Sequence, residues 1–179
     1  MRDLVDRAMN GDRDAFTALA VEISGDLFAI SRRILRDVDL AEDAVQQCLL
    51  QIWRQLPALR DPDRFQAWSY RLLVNACYRQ VRNERQWAPN LRILSEERAG
   101  GDHAGALADR DELERAFRHL SPEHRVVVVL HHYRGLPQSE VAAVLGIPVG
   151  TVYSRLHYAY RDMRATVEAD ARPGRSATA

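Results

Sequence analysis

Six side chains between positions 64 and 82, Arg64, Trp68, Arg71, Asn75, Arg79 and Arg82, recur at steps of three, four and seven. On a helix turning 100° per residue they fall within an arc of about 80°. Guanidinium groups that follow phosphates, an indole that stacks on an exposed base and an amide between them suit a single strand of DNA. The plainer alternative is a solvated face with Trp68 packed at the edge of the core. A second set, Gly150, Thr151, Ser154, Arg155, His157, Tyr158 and Arg161, lies opposite an arc of Val149, Val152, Leu156, Ala159 and Met163 that must face a core. Small residues at a helix start let the backbone approach a major groove, where arginine can bond guanine bidentately. A third set, Asp43, Gln46, Gln47 and Arg54, combines a carboxylate and amides on one outward stripe. That chemistry suits an arginine-rich protein helix better than DNA, with a solvated face as the default.

Covalent chemistry has no comparable foothold. The adjacent His131 and His132 point about 100° apart on a helix, whereas metal-binding helical pairs sit four residues apart. No phosphate-cradling glycine loop and no nucleophile motif is present, so the expectation is no catalytic residue, no metal, no cofactor and no enzymatic activity. Cys48 and Cys77 lie 29 residues apart without a CxxC spacing and read as small buried hydrophobes. His103, His119 and His124 read as surface residues.

The elements that must position these sets are helical. The 46% hydrophobic fraction of the 179 residues is enough for real cores. Apolar periodicity predicts helices near 3–9, 13–36, 40–56, 62–86, 109–119, 122–134, 138–145 and 149–166. Punctuation supports several of these starts. Asp39 and Glu42 have capping-box spacing, Asp61 precedes Pro62, and Ser121 precedes Pro122. The short apolar run Val126–Leu130 is therefore read as buried helix rather than strand. Between 138–145 and 149–166, "GIP" forms a tight turn in which Gly146 supplies a left-handed backbone and Pro148 prevents continuation. The result is a helix-turn-helix. The segment at 88–108, with a proline, glycines and mixed charge, reads as a flexible linker, and 168–179 as a disordered tail. An all-α chain follows, with small helical domains at 1–87 and 109–167.

Net charge is zero, but it is unevenly spread. Residues 1–59 carry seven arginines against ten acids, 60–92 seven against three, 93–120 four against seven, and 121–179 seven against five. A neutral total thus conceals two basic surfaces and an acidic one. No run of apolar residues is long enough for a membrane span, and the charged N-terminus is unlike a signal peptide, so the chain is expected to stay in the cytoplasm.

Together, "AEDAVQQCLLQIW", "FQAWSYRLLVNACYRQVR" and "LSPEHRVVVVLHHYRGLPQSEVAAVLGIPVGTVYSRL" resemble, in order and spacing, three segments of the ECF (extracytoplasmic function) sigma factors of bacterial RNA polymerase. The resemblance implies a sigma-2-like bundle that binds polymerase and opens the -10 element, and a sigma-4-like helix-turn-helix that reads the -35 element as duplex. It places Asp43, Gln46, Gln47 and Arg54 against the clamp helices of the β′ subunit. It sets Arg64, Trp68, Arg71, Asn75, Arg79 and Arg82 against the -10 strand, and Gly150, Thr151, Ser154, Arg155, His157, Tyr158 and Arg161 against the -35 duplex. The β flap, promoter DNA and an anti-sigma factor complete the partners it implies. The chain departs from the family pattern at Gln47, Cys48, Pro137, Tyr158 and Tyr160; the tyrosines stand where arginine is common. A free-standing helix-turn-helix regulator, and a sigma-like protein that no longer initiates, are the alternatives.

Overall fold

In the computed structural model, residues 1–87 and 108–170 are described, and they fold into eight α-helices with no strand among them. α1 (Arg2–Met9), α2 (Arg13–Leu35), α3 (Val38–Gln55) and α4 (Phe65–Trp87) form an N-terminal bundle. α5 (Ala108–His119), α6 (Pro122–Val128), α7 (Gln138–Leu145) and α8 (Val149–Asp170) form a second group. The linker predicted at 88–108 lies outside the described residues except for its last position, which opens α5. Of the tail predicted at 168–179, the first three residues belong to α8, which runs to Asp170, and 171–179 lie outside the described residues.

Local chemistry sets these boundaries. Asp12 caps α2 by accepting from the Ala15 N–H at 2.9 Å. Along α2, Leu19, Ile23, Leu27, Ile30 and Ile34 follow the helical repeat and are all buried, giving the bundle its central apolar stripe. Arg36 ends this helix in the left-handed region at φ 63°, a conformation that costs a non-glycine residue about 1–2 kcal/mol. The sharp exit throws Asp37 into extended backbone, where its carboxylate accepts from the Leu40 N–H at 2.9 Å. Asp37 is therefore the cap of α3, and the predicted Asp39 lies already within the first turn. Asp61 and Ser121 cap as expected, accepting from the N–H groups of Asp63 and His124. Asp61 starts a short 3₁₀ turn, Pro62–Arg64, from which α4 grows.

The predicted 122–134 helix is present, but it widens after Val128 into a π-type turn, Val129–Tyr133. The Arg134 N–H reaches back to the Val129 carbonyl at 3.1 Å, and His131 Nδ1 bonds the Leu136 carbonyl oxygen at 2.7 Å. Gly146 ends α7 at φ 66°, and the Thr151 N–H returns to the Pro148 carbonyl at 2.9 Å. These are the stop and restart expected of "GIP". In α8, Val152, Leu156 and Ala159 are buried as predicted, but Val149 is 38% exposed, because it sits at the helix tip beyond the reach of α7.

The two groups pack directly on one another, α7 on α4 and α6 with its π-type turn on α2. A single buried apolar cluster runs from Leu19 and Ile30 through Leu73 and Val74 to Val141 and Val152. Around it lies a polar seam. Arg134 pairs with Asp26 at 2.7 Å, and the same carboxylate accepts from the Tyr70 hydroxyl at 2.8 Å. Arg36 pairs with Glu114 at 2.9 Å, and Arg33 lies over the Tyr133 ring at 3.6 Å. The Arg134–Asp26 pair is only partly solvated and is expected to contribute on the order of 1 kcal/mol. Arg134→Ala should accordingly speed amide exchange in α6 and α7 about fivefold while leaving α3 unchanged. Unaltered exchange in α6 and α7 would show that the apolar contacts alone hold the groups together.

Candidate nucleic-acid and protein-binding surfaces

α3 and α4 cross so that their outward residues enclose an open trough of about 580 Å³. It is lined by Gln51, Arg54, Gln55, Trp68, Arg71, Leu72, Asn75 and Arg79. Four members of the predicted arginine stripe, Trp68, Arg71, Asn75 and Arg79, thus meet in one concavity with three polar side chains from α3. The lining carries three guanidinium groups and no carboxylate, so its potential is positive. Gln51, with its amide oxygen turned inward, accepts from both Nη atoms of Arg79, with Nη1 at 2.9 Å. Arg79 is half-buried, and its Nε–H is buried without a partner. It forms the trough floor, whereas Arg71 and Asn75 are exposed on the rim and Trp68 is half-buried, tilted against Phe65 at 6.0 Å.

The stripe's two ends diverge from this site. Arg64 projects from the turn before α4, paired with Asp61 at 3.2 Å. Arg82 lies instead in a cleft of about 390 Å³ against the second group, with Tyr78, Val81, Glu123, Leu145, Ile147 and Arg155. Burial pushes the Tyr78 hydroxyl up, and the adjacent Arg155 guanidinium pulls the other way. One turn away, a Cβ on Gly146 would lie 3.5 Å from Arg71 Nη2. The helix-turn-helix therefore rests against Arg71 and Arg82 of the arginine stripe.

Among the predicted residues of α3, Asp43 and Gln46 are exposed and Gln47 is half-buried. Gln46 borders a groove of about 440 Å³ between α2 and α3, whereas Arg54 opens on the other side, into the arginine trough. The groove is apolar: Phe16, Ala20, Leu49, Leu50 and Trp53 line it, with Arg13 and Thr17. Leu50 is 51% and Trp53 38% exposed, and Trp53 lies 4.7 Å from Phe16, ring centre to ring centre. Sequence reasoning passed over these three. Leu50 carried the signal, since it projects among the polar residues of α3 rather than with Val45, Cys48 and Ile52. Water-exposed apolar side chains gathered in a groove make it a candidate protein contact.

On α8, Gly150, Ser154, His157, Tyr158 and Arg161 are exposed, and Thr151 and Arg155 half-buried. The predicted set does share one face. Tyr153, not among the predicted residues, is 58% exposed beside it. Among the described residues no cluster of histidine, cysteine, aspartate or glutamate could hold a metal ion. No helix among them is long and apolar enough to cross a membrane.

Residues 19–87 match the family model described as Sigma-70 region 2, and residues 110–163 that described as Sigma-70, region 4. The ECF RNA polymerase sigma factor SigL of Mycobacterium tuberculosis is 33% identical, over 84% of this chain and 88% of its own. The ECF RNA polymerase sigma-E factor of Escherichia coli is 27% identical over 86% of each chain. Among solved structures, CnrH in complex with the cytosolic domain of CnrY superposes with a TM-score of 0.69 at 27% identity, over 95% of this chain and 98% of that one. The sigma factor RpoE of Bartonella quintana, solved with the anti-sigma factor NepR, superposes equally well (TM-score 0.69) over 87% of this chain and 98% of that one; at 24% identity it speaks for the fold alone.

Beneath the trough, Cys48 is buried between α3 and α4, and its thiol donates to the Ser69 carbonyl at 3.7 Å. Burial pushes the thiols of Cys48 and Cys77 up to about 12, which keeps them protonated and unreactive. The folded protein should therefore release no thionitrobenzoate from Ellman's reagent at pH 8 and two equivalents in guanidinium; a reactive thiol in the native state would mean that α3 and α4 part readily.

Proposed function

The chain belongs to the ECF RNA polymerase sigma factors, and from that premise we propose how its surfaces divide the work of directing promoter-specific transcription initiation. The apolar groove of Phe16, Leu50 and Trp53, bordered by Gln46, takes an amphipathic helix of core RNA polymerase, which the family resemblance identifies with the β′ clamp, and the exposed Asp43 of the same helix as Gln46 contacts the same partner. An aromatic pair in a groove rimmed by polar groups is the usual composition of an interface anchor. The arginine trough takes the melted -10 strand. Arg54 and Arg71 follow phosphates, and Trp68 offers a ring face to an unstacked base. Arg79 acts differently: held by Gln51, it gives the trough floor its charge and shape. The exposed face of α8 enters the -35 major groove, and the chain acts by binding, with no catalytic step of its own.

One observation carries this reading: the trough gathers three guanidinium groups, an indole and amides on one side of α4, without an acid among them. A solvated helix face has no reason to concentrate like charges in a concavity. In the arrangement described here, Arg71 lies against Gly146, and Arg155 shares the seam cleft with Arg82. Part of each DNA surface faces the seam, so promoter binding requires the two groups to part. A partner protein that bridges them, as an anti-sigma factor would, prolongs the closed arrangement.

The test is reconstitution with core polymerase, followed by sequencing of the transcripts started on genomic DNA. Stable binding and new start sites that share two spaced upstream motifs are expected. Binding without initiation would instead indicate a sigma-like protein that no longer initiates, and specific duplex affinity without polymerase binding a free-standing regulator. Within the working enzyme, Trp53→Ala should weaken core binding about tenfold. Arg71→Ala should leave core binding intact and lower permanganate reactivity of the -10 thymines about fivefold. Reversal of those two effects would exchange the assignments of groove and trough.

A further inference from the structure

The outward face of α8 is rich in aromatic surface, and its arginine beside Tyr158 is already paired. Arg161 is committed to its neighbour Asp162 at 3.1 Å and lies over the Tyr158 ring at 4.9 Å. His124 approaches the same carboxylate at 3.9 Å and stacks on Tyr158 at 6.5 Å. The Tyr160 hydroxyl is held by His132, whose imidazole is pushed down by burial and by His131. Tyr158 and Tyr160 are thus tied to their own domain. Tyr153 is not: it has no hydrogen-bond or ring partner among the described residues and is 58% exposed.

Gly150 supplies an independent observation. A glycine is a poorer helix former than alanine. Nothing inside this protein requires it, since a Cβ there would meet no atom within 4 Å and the backbone is ordinary right-handed helix. The missing side chain makes room for a body outside the chain. Ser154, one turn on, extends the same low floor, and its hydroxyl turns back to the Thr151 carbonyl at 3.0 Å. Around the helix, Tyr153 stands on one side of this floor at about 40° from Val149, and Thr151 and Arg155 stand on the other at about 200° and 240°. A recognition helix reads base edges with its first turns. The shape is a shallow lane, open to a base edge, with a hydrocarbon wall and a guanidinium wall.

We propose that Tyr153 is a specificity-determining residue of the -35 contact and reads the C5-methyl group of a thymine. In the major groove the thymine methyl is the one apolar feature among the base edges. An unpartnered ring beside a low floor reaches that feature, while Arg155 on the opposite wall is released for guanine once it leaves Tyr78 and the seam cleft. With Arg161 largely neutralised by Asp162, phosphate attraction supplies less of the binding, and methyl contact supplies correspondingly more. This assignment rests on the reading of α8 as the -35 helix.

The experiment uses the holoenzyme reconstituted with core polymerase and a promoter recovered from its own start sites. Each thymine of the -35 element is replaced singly by deoxyuridine, which removes only the methyl. Wild type should lose about fourfold in promoter occupancy at one or two positions, the effect of one methyl left uncontacted. Tyr153→Phe should keep that sensitivity, and Tyr153→Ala should bind the thymine promoter about fivefold more weakly and be indifferent to deoxyuridine at the same positions. Indifference of wild type at every thymine, a -35 element without thymine, or undiminished sensitivity in Tyr153→Ala would each overturn the assignment. Failure of wild type to bind core polymerase, read first in the same gel, would instead overturn the parent reading and this one with it.

Discussion

Everything in this molecule is arranged around α4, a helix that must be buried on three sides and usable on the fourth. Leu72, Leu73, Ala76 and Cys77 fasten it to the bundle, and Tyr70 reaches Asp26 of α2. Val74 and the buried Gln80 belong to its covered circumference, on which α7 also packs. The strip left over is narrow, and Arg71 and Asn75 occupy it. Burial this extensive gives the strip its precision, because an α4 free to roll would not hold Trp68, Arg71 and Asn75 in register with Gln51 and Arg54. It also explains the partnerless Arg79 Nε–H, since the floor of a trough cut into a packed helix pair lies where water reaches poorly.

The polar contacts of the seam that joins the two groups are built mainly from arginine, in a chain without a lysine. A guanidinium both pairs with carboxylates and stacks on rings, and the seam uses both modes: Arg134 with Asp26 and over Tyr70, Arg33 over Tyr133. Such contacts are individually worth little where partly solvated. The seam is therefore specific in geometry and modest in energy beyond its apolar centre, which suits an interface that must open. The molecule's chemistry lies in which of several competing surfaces its arginines face.

Much of this was legible in the residues. Helix positions followed from apolar periodicity and from Asp61, Ser121, Gly146 and Pro148, whose local chemistry is nearly independent of context. Membership of the trough was half legible: Trp68, Arg71, Asn75 and Arg79 project to one arc, but a projection cannot say that Arg82 lies beyond the trough's end, or that Arg54 belongs to it rather than to the stripe of Asp43 and Gln46. Those facts depend on how α3 crosses α4. Tyr70, Val74 and Gln80 were not recognised as buried for a related reason. A helix covered on several faces loses the single apolar stripe on which periodicity depends, and a buried glutamine or tyrosine looks the same in sequence as an exposed one. Asp37 was hidden by its neighbour Asp39, because only the left-handed turn at Arg36 decides between two acidic residues two positions apart.

On the assignment of surfaces proposed above, geometry also gives an order of events. The -10 and -35 elements are separated by roughly 25 base pairs, about 85 Å of duplex at 3.4 Å per pair. In the closed arrangement the two DNA surfaces are within contact distance of one another, so they cannot engage both elements at once. Between Trp87 and Ala108 lie 20 residues, which can span at most about 70 Å; with the width of the two helical groups added, that reach is sufficient. The groove of Phe16, Leu50 and Trp53 opens between α2 and α3, away from the α4 trough. It is available while the seam is closed, whereas the DNA surfaces are not. Polymerase can therefore bind first, and its other contacts can shift the population toward the open arrangement. Until that shift the apparent affinity for promoter is reduced by the fraction of molecules that are open. Once both groups are tethered to one polymerase, capture of one element raises the effective concentration of the other. On the reading proposed above for α8, a methyl contact and one guanidinium suffice to read sequence where proximity is already provided.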